Sequence, residues 1–121
     1  KMLEFIDKPP HHLSFGQKRK IAIASVLASE PELLVLDEPS SNLDPASRRE
    51  LIDILKNLKV SIILVTHDLP MALEICNRSI ILNNGQITAD ADTYKILKDS
   101  KVMEENRLEL PFGFALHHLE E

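Results

Sequence analysis

A short aliphatic run that stops at two carboxylates constrains the fold of this chain more than any other feature. Residues 33–36 read Leu-Leu-Val-Leu, and Asp37, Glu38 and Pro39 follow directly. Because the run has no polar alternation, it predicts a strand of a parallel sheet that is buried on both faces. Ligands of open α/β sheets gather at the carboxyl ends of the strands, so Asp37 and Glu38 form the first candidate site.

Helix and strand signals alternate along the chain around this strand. Ser14, Asp44 and Asp68 each stand before a helical pattern, where their side chains can accept hydrogen bonds from the N–H groups of the first turn. The predicted elements are helices over residues 18–28, 45–58, 69–76 and 93–98 and strands over residues 33–36, 61–65, 79–82 and 86–89. This order predicts an α/β fold with a mostly parallel sheet and flanking helices.

Composition and charge exclude several classes of protein. The chain has 121 residues, which suits one domain or part of one, and its net charge of −5 argues against nonspecific nucleic-acid binding. Its single cysteine, Cys76, excludes an internal disulfide and a cysteine-based zinc site, and we expect it to be a small core residue. No apolar run approaches the ~20 residues that span a bilayer, and no secretory signal is visible, so we expect a soluble, intracellular protein.

Three segments and one histidine, in this order, resemble the ATPase domain of ATP-binding cassette (ABC) transporters. Residues 13–17, Leu-Ser-Phe-Gly-Gln, are similar to the signature motif, and residues 33–38 are similar to the Walker B strand with its acidic pair. Ser-Asn-Leu-Asp at residues 41–44 is similar to the D-loop, and His67 stands in the place of the switch histidine. The resemblance covers nearly all of residues 10–95.

The resemblance implies a role for each candidate site residue. Glu38 would be the general base that activates water, Asp37 would act through Mg²⁺ and its waters, and His67 would contact the γ-phosphate of ATP. The residues implied in binding the nucleotide held by an opposing subunit are Ser14, Phe15, Gly16, Gln17, Asn42 and Asp44. Phe15 departs from the glycine that is commoner there in the family, and we expect this departure to have only a modest effect.

The first predicted helix carries a basic cluster and a face of small, apolar residues. We expect the second set to be buried: Ile21, Ala22, Ser25, Val26, Ala28 and Ser29. Lys18, Arg19 and Lys20 form either an ordinary solvated face or a source of positive potential near the phosphate of the opposing subunit. Both interpretations of the basic cluster stay open at this point.

A nucleotide site of this family also needs a phosphate loop, GxxxxGK[ST], whose N–H groups and lysine hold the phosphates. None of the three glycines, Gly16, Gly85 and Gly113, belongs to this pattern. The resemblance therefore implies an incomplete, C-terminal half of a P-loop NTPase domain, with a partial ABC ATPase domain over residues 1–99 and a C-terminal tail over residues 100–121. We expect ATP and Mg²⁺ to be cofactors of the intact protein, and the chain alone to be inactive.

The missing strand of the phosphate loop has a structural consequence. In the family that strand lies beside the one that ends at the switch histidine, so residues 61–65 should present an unpaired edge and an uncovered apolar face. Such edges and patches favour association. We therefore expect the chain to pair through this edge with a second copy, to exchange elements with it, or to require the missing N-terminal half.

The leading interpretation is the ATP-hydrolysing subunit of an ABC transporter, peripheral on the cytoplasmic face of the membrane. Its expected partners are a transmembrane subunit and a second ATPase subunit, with no nucleic acid. Residues 66–97 resemble importer ATPases, and loosely those of cobalt, nickel or energy-coupling-factor systems. The alternatives are a non-catalytic remnant or interaction module and the ATPase head of a DNA-repair or chromosome-maintenance protein. The latter usually lacks Pro39 and the sequence Ser-Ser-Asn-Leu-Asp that follow the acidic pair here.

Overall fold

The computed structural model describes residues 13–111, which form two compact units. The first unit ends at Thr66 and the second begins at His67. The parts of the predicted domain and tail that fall on residues 1–12 and 112–121 lie outside the described residues. Within residues 13–111, no helix combines length and apolar character to the degree that crossing a bilayer requires.

The first unit consists of two helices and a pair of parallel strands. Its elements are α1 (Phe15–Leu27), β1 (Leu33–Asp37), α2 (Pro45–Lys56) and β2 (Ser61–Val65). The two strands pair in parallel, from Leu33 opposite Ser61 to Asp37 opposite Val65. The predicted order of these four elements is confirmed. Because the strands are parallel, the acidic pair at the carboxyl end of β1 lies beside the carboxyl end of β2.

Local capping chemistry explains where the two helices begin. Ser14 precedes α1, and its side chain accepts the N–H of Gln17. Asp44 precedes α2, and Pro45 occupies the first turn, where its missing N–H has no helical partner to lose. The buried stripe of α2 follows the helical period and forms most of the core of this unit: Leu51, Ile52 and Leu55.

On one face of the β1–β2 pair the side chains are buried or half-buried, and the other face is open. Leu34 is only 3% exposed, whereas Val35 is 60% exposed and Ile63 is 51% exposed. The prediction that β1 is buried on both faces is therefore wrong, because the rest of the described chain leaves this second apolar face exposed. The prediction of an uncovered apolar face beside residues 61–65 is confirmed, and among the described residues β2 pairs only with β1.

The buried side of α1 differs from the predicted one. Gly16 and Ile23 are buried, and Arg19 and Lys20 between them are half-buried. These residues recur at helical spacing, so the inward side of α1 includes polar residues. Most of the predicted face is exposed: Ala22, Ser25, Val26, Ala28 and Ser29. The prediction failed because hydrophobicity does not mark a helix face that docks through a glycine and two long cations.

The second unit combines three short helices with an antiparallel hairpin. Its elements are α3 (Leu69–Ile75), β3 (Arg78–Asn83), β4 (Gln86–Asp92), α4 (Thr93–Lys98) and α5 (Ser100–Glu105). The hairpin turns at Asn84 and Gly85, whose φ angles of 52° and 76° fit a two-residue turn of the kind that this pair of residues favours. Among the described residues, β3 pairs only with β4, and this pair is antiparallel. The predicted parallel pairing is seen between β1 and β2.

Helix α5 is an element that the sequence pattern did not indicate. It begins after Asp99, whose carboxylate accepts the N–H groups of Lys101 and Val102. Its buried residue, Met103, joins the core of the second unit with Met71, Ile96 and Leu97. The division of the chain at residue 99 stays a prediction, although α5 packs on α4 across that point. Cys76 is half-buried, and burial raises the pKa of its thiol.

Candidate functional site

The acidic pair lies where β1 ends. Asp37 is the last residue of the strand and is exposed, on the same face as Val35. Glu38 leaves the strand with a φ of 46°, in the left-handed region that residues with a Cβ rarely occupy. Strained backbone of this kind persists where surrounding contacts enforce it, and it is concentrated at functional sites.

Contacts from β2 and the residue that follows it hold Glu38. The N–H of Glu38 donates to the carbonyl oxygen of Val65 at 2.7 Å, which extends the parallel pairing by one residue. The Thr66 hydroxyl donates to the Glu38 carboxylate at 3.3 Å. Backbone and side chain of Glu38 are therefore both fixed by the end of the neighbouring strand. The next residue, His67, is exposed at the start of the second unit and precedes Asp68, the cap of α3.

The residues of the signature segment, 13–17, form a capping box at the start of α1. Ser14 Oγ accepts the N–H of Gln17 at 3.1 Å, and Gln17 Oε1 accepts the N–H of Ser14 at 3.0 Å. Phe15 is 60% exposed, and the ammonium of Lys18 lies 6.0 Å from the centre of its ring. The reciprocal bonds fix the geometry of the helix start, which is the end of a helix that favours anions.

Gly16 allows α1 to approach α2 closely. A Cβ placed on Gly16 would lie 2.7 Å from Ser47 Oγ and 2.9 Å from Ser47 Cβ, closer than side chains pack. Ser47 is in the first turn of α2, and its N–H donates to the capping carboxylate of Asp44 at 3.1 Å. In this structure the glycine is therefore required by helix packing, a role that phosphate binding alone did not suggest.

The residues that resemble the D-loop connect β1 to α2. Asn42 is exposed with a φ of 64°, a conformation that asparagine adopts more readily than most residues. Asp44 caps α2, and hydrogen bonds from the side chain and the backbone N–H of Ser47 hold the pKa of its carboxyl below the usual range. Its expected role as a helix cap is confirmed.

The basic cluster of α1 is mostly engaged within the first unit. Arg19 donates to backbone carbonyls of the loop over residues 38–41, and Lys20 forms an ion pair with Glu50 of α2. Lys18 is exposed. The structure therefore favours neither of the two original interpretations for Arg19 and Lys20, since both side chains attach α1 to the neighbouring elements.

Contacts within the first unit join three of the predicted segments. The signature helix contacts the loop after the acidic pair through Arg19 and contacts α2, next to the D-loop, through Gly16. Sequence reasoning missed Thr66 and Ser47 as partners of these residues. A glycine in the first turn of a helix is a signal for close approach, because glycine disfavours helix by about 1 kcal/mol relative to alanine.

Among the described residues, no group of three or more His, Cys, Asp or Glu side chains is arranged to hold a metal.

Comparison with known proteins identifies the family. A family model described as "AAA domain, putative AbiEii toxin, Type IV TA system" matches residues 8–74, more than half of the chain. The chain is 66% identical over 113 residues to a "putative ABC transporter ATP-binding protein" of Streptomyces coelicolor, covering 93% of this chain and 44% of the relative. It is 46% identical over 112 residues to the energy-coupling factor transporter ATP-binding protein EcfA2 of Mycoplasmopsis pulmonis, covering 90% of this chain and 37% of the relative.

Solved structures give the same result for the fold. CbiO1 from Clostridium perfringens, described as part of the ABC transporter complex CbiONQ, matches with a TM-score of 0.69 and 35% identity over 95% of this chain and 47% of its own. An ATP-binding cassette of another ABC transporter matches with a TM-score of 0.77 at 24% identity, over 88% of this chain and 45% of its own, which supports the fold alone. The chain spans less than half the length of these relatives and structures. The chain therefore belongs to the family described as "AAA domain, putative AbiEii toxin, Type IV TA system", and it is similar in sequence and fold to the ATP-binding proteins of ABC transporters.

Proposed function

We propose that this chain is the C-terminal part of the ATP-hydrolysing subunit of an ABC transporter, and that Glu38 is the general base of the intact enzyme. The observation that carries the proposal is the fixation of Glu38 at the carboxyl ends of two parallel strands, by Val65 at its N–H and by Thr66 at its carboxylate. A general base needs a fixed position within hydrogen-bond reach of the water it activates. Ligand sites of parallel sheets occur at this same edge.

The acidic pair divides two tasks between neighbouring residues. Glu38 orients the attacking water and accepts its proton, and the Thr66 hydroxyl keeps the carboxylate aimed during the reaction. Asp37, exposed at the end of β1, suits the carboxylate that holds Mg²⁺, an ion that proteins bind through one or two carboxylates together with phosphates and waters. When bound, Mg²⁺ supplies neutralisation of the phosphate charge. His67 donates a hydrogen bond to the γ-phosphate.

The start of α1 forms the second half of the proposed site, acting on the nucleotide of an opposing ATPase subunit. The Ser14 hydroxyl and the Gln17 amide each carry a donor hydrogen in addition to the oxygen used in the capping box. A phosphate oxygen can accept from these donors while the positive end of the helix attracts its charge. Asn42 and Asp44 line the same interface, and Phe15 contributes an exposed ring beside it.

The partners of the intact subunit follow from the same proposal. A transmembrane subunit would receive the movement driven by hydrolysis, and the ATPase would lie on the cytoplasmic face of the membrane. Relatives named for energy-coupling factor transport and for the CbiONQ complex support a transporter subunit with partners of this kind. The first half of the domain, with the phosphate loop, would cover the open face beside Val35 and Ile63.

A chimera tests this function directly. Residues 1–121 replace the matching part of the Streptomyces coelicolor relative, which supplies the rest of the subunit. We expect the chimera to hydrolyse ATP in the presence of Mg²⁺, and the 121-residue chain alone to neither hydrolyse ATP nor bind it with micromolar affinity in calorimetry. A folded chimera that binds ATP without hydrolysing it would instead support the non-catalytic interaction module.

A further inference from the structure

A single arginine on α1 contacts three carbonyl groups of the loop that follows the acidic pair. The Arg19 guanidinium donates from Nη1 to the carbonyl oxygen of Glu38 at 3.4 Å and to that of Pro39, and from Nη2 to that of Ser41 at 3.2 Å. Arg19 is half-buried and Pro39 is buried, so the bonds to Glu38 and Pro39 are partly shielded from water, whereas the bond to Ser41 is exposed. Hydrogen bonds from a charged donor in such a setting are stronger than those between neutral groups.

The loop that Arg19 contacts has an unusual backbone. Both ends carry left-handed residues, Glu38 with a φ of 46° and Asn42 with a φ of 64°. Its backbone hydrogen bonds include those from the Ser41 N–H to the Glu38 carbonyl at 3.2 Å and from the Leu43 N–H to the Ser40 carbonyl at 3.3 Å. The carbonyl oxygens of Pro39 and Ser41 accept neither of these two bonds, and backbone polar groups that are not hydrogen-bonded within a loop need donors from elsewhere. Arg19 supplies them from a helix.

We propose that Arg19 is a positioning residue for ATP hydrolysis, which sets the Glu38 carboxylate and the Asn42 turn by holding the carbonyls between them. This inference rests on the proposed function for its catalytic part. Through Arg19, the helix that begins with the signature segment is attached to the loop that begins with the general base. Movement of α1 is therefore transmitted to Glu38 through one guanidinium.

The geometry requires an arginine at this position. Two guanidinium nitrogens bind carbonyls at separate points of the loop, and the planar group fixes the spacing between them. A lysine places one ammonium on a flexible stem and cannot reproduce this fork. Lys20, one residue further along α1, provides the matched control, because its ion pair with Glu50 attaches α1 to α2 without touching the loop.

Kinetics of variants of the chimera separate positioning from general loss of packing. We expect Arg19→Met to lower kcat at least about tenfold with little change in the KM for ATP, because small misplacements of a catalytic group reduce the rate steeply. Arg19→Lys should recover only part of the rate. Lys20→Met removes an equal charge from the same helix and should leave kcat within about twofold of the original. Equal losses of kcat in Arg19→Met and Lys20→Met would overturn the proposal.

Hydrogen–deuterium exchange measured by mass spectrometry tests the same claim without relying on hydrolysis. Peptides that contain residues 38–43 should exchange at least about tenfold faster in Arg19→Met than in the original chimera. Their exchange rate should be unchanged in Lys20→Met. If this exchange result is obtained while the original chimera fails to hydrolyse ATP, the proposed function is wrong and the control of the loop by Arg19 stands. Identical exchange in the original chimera and Arg19→Met would overturn the inference whatever the ATPase rate.

Discussion

Replacing Gly16 by alanine tests whether the close approach of α1 and α2 makes a glycine necessary there. Within a helix, alanine is normally more stabilising than glycine by about 0.5–1 kcal/mol. Here the new Cβ would lie 2.7 Å from Ser47 Oγ and 2.9 Å from Ser47 Cβ. The hydroxyl can rotate away, but Ser47 Cβ is fixed to the backbone of α2, so the helices must move apart. Overpacking of this kind costs about 1–3 kcal/mol, which leaves a net loss of about 1 kcal/mol in the free energy of unfolding.

Urea denaturation of the 121-residue chain at one fixed protein concentration measures this free energy. Ala22→Gly is the matched control, because Ala22 is exposed on the same helix and reports the ordinary difference between the two residues. Adding Ser47→Gly to Gly16→Ala removes both clashing atoms, so the double variant should be more stable than the sum of the single changes predicts. If Gly16→Ala stabilises the chain by as much as Ala22→Gly destabilises it, the packing argument is refuted.

Three further predictions concern stability and association. Asp44→Ala should destabilise the chain at about pH 7 and make little difference at about pH 2, as measured by urea titrations at both pH values. The pKa of Asp44 is lowered in the folded chain, so this carboxylate contributes stability above its unfolded pKa, and that stability is lost as the pH falls through the folded pKa. Leu55→Ala should cost about 2–5 kcal/mol and Val35→Ala within about 0.5 kcal/mol, as measured by denaturation, because the first side chain is 2% exposed and the second 60%. Val35→Ser combined with Ile63→Ser should shift the chain toward monomer in analytical ultracentrifugation, and an unchanged mass distribution would contradict association through this face.

Local chemistry was the part of the fold that the sequence predicted best. Ser14, Asp44 and Asp68 cap the helices that follow them, since each acts on N–H groups only two or three residues away. The hairpin turn at residues 84–85 likewise depends on its own Asn-Gly sequence. Each of these features depends on a few neighbouring residues, and nothing elsewhere in the molecule has to be known to predict them.

Features that depend on distant parts of the chain were harder to predict. The prediction that Val35 is buried was wrong. An aliphatic run shows that a strand is able to be buried, whereas its exposure depends on which other elements are present to cover it. The prediction of the buried side of α1 was wrong because Arg19 donates to backbone carbonyls. Every residue has a carbonyl, so the sequence does not indicate which ones an arginine will contact. Thr66 was missed as a partner of Glu38 for a related reason, because a hydroxyl after a strand is common.

The most direct test of the account is single-turnover hydrolysis of ATP by the chimera carrying Glu38→Gln. Loss of a general base should slow hydrolysis at least about a hundredfold while ATP still binds, because glutamine keeps the shape of the side chain but cannot accept the proton. Glu32→Gln, the same change at an exposed residue just before β1, should leave the rate unaltered. Hydrolysis by Glu38→Gln at the rate of Glu32→Gln would contradict the assignment of Glu38 as the base.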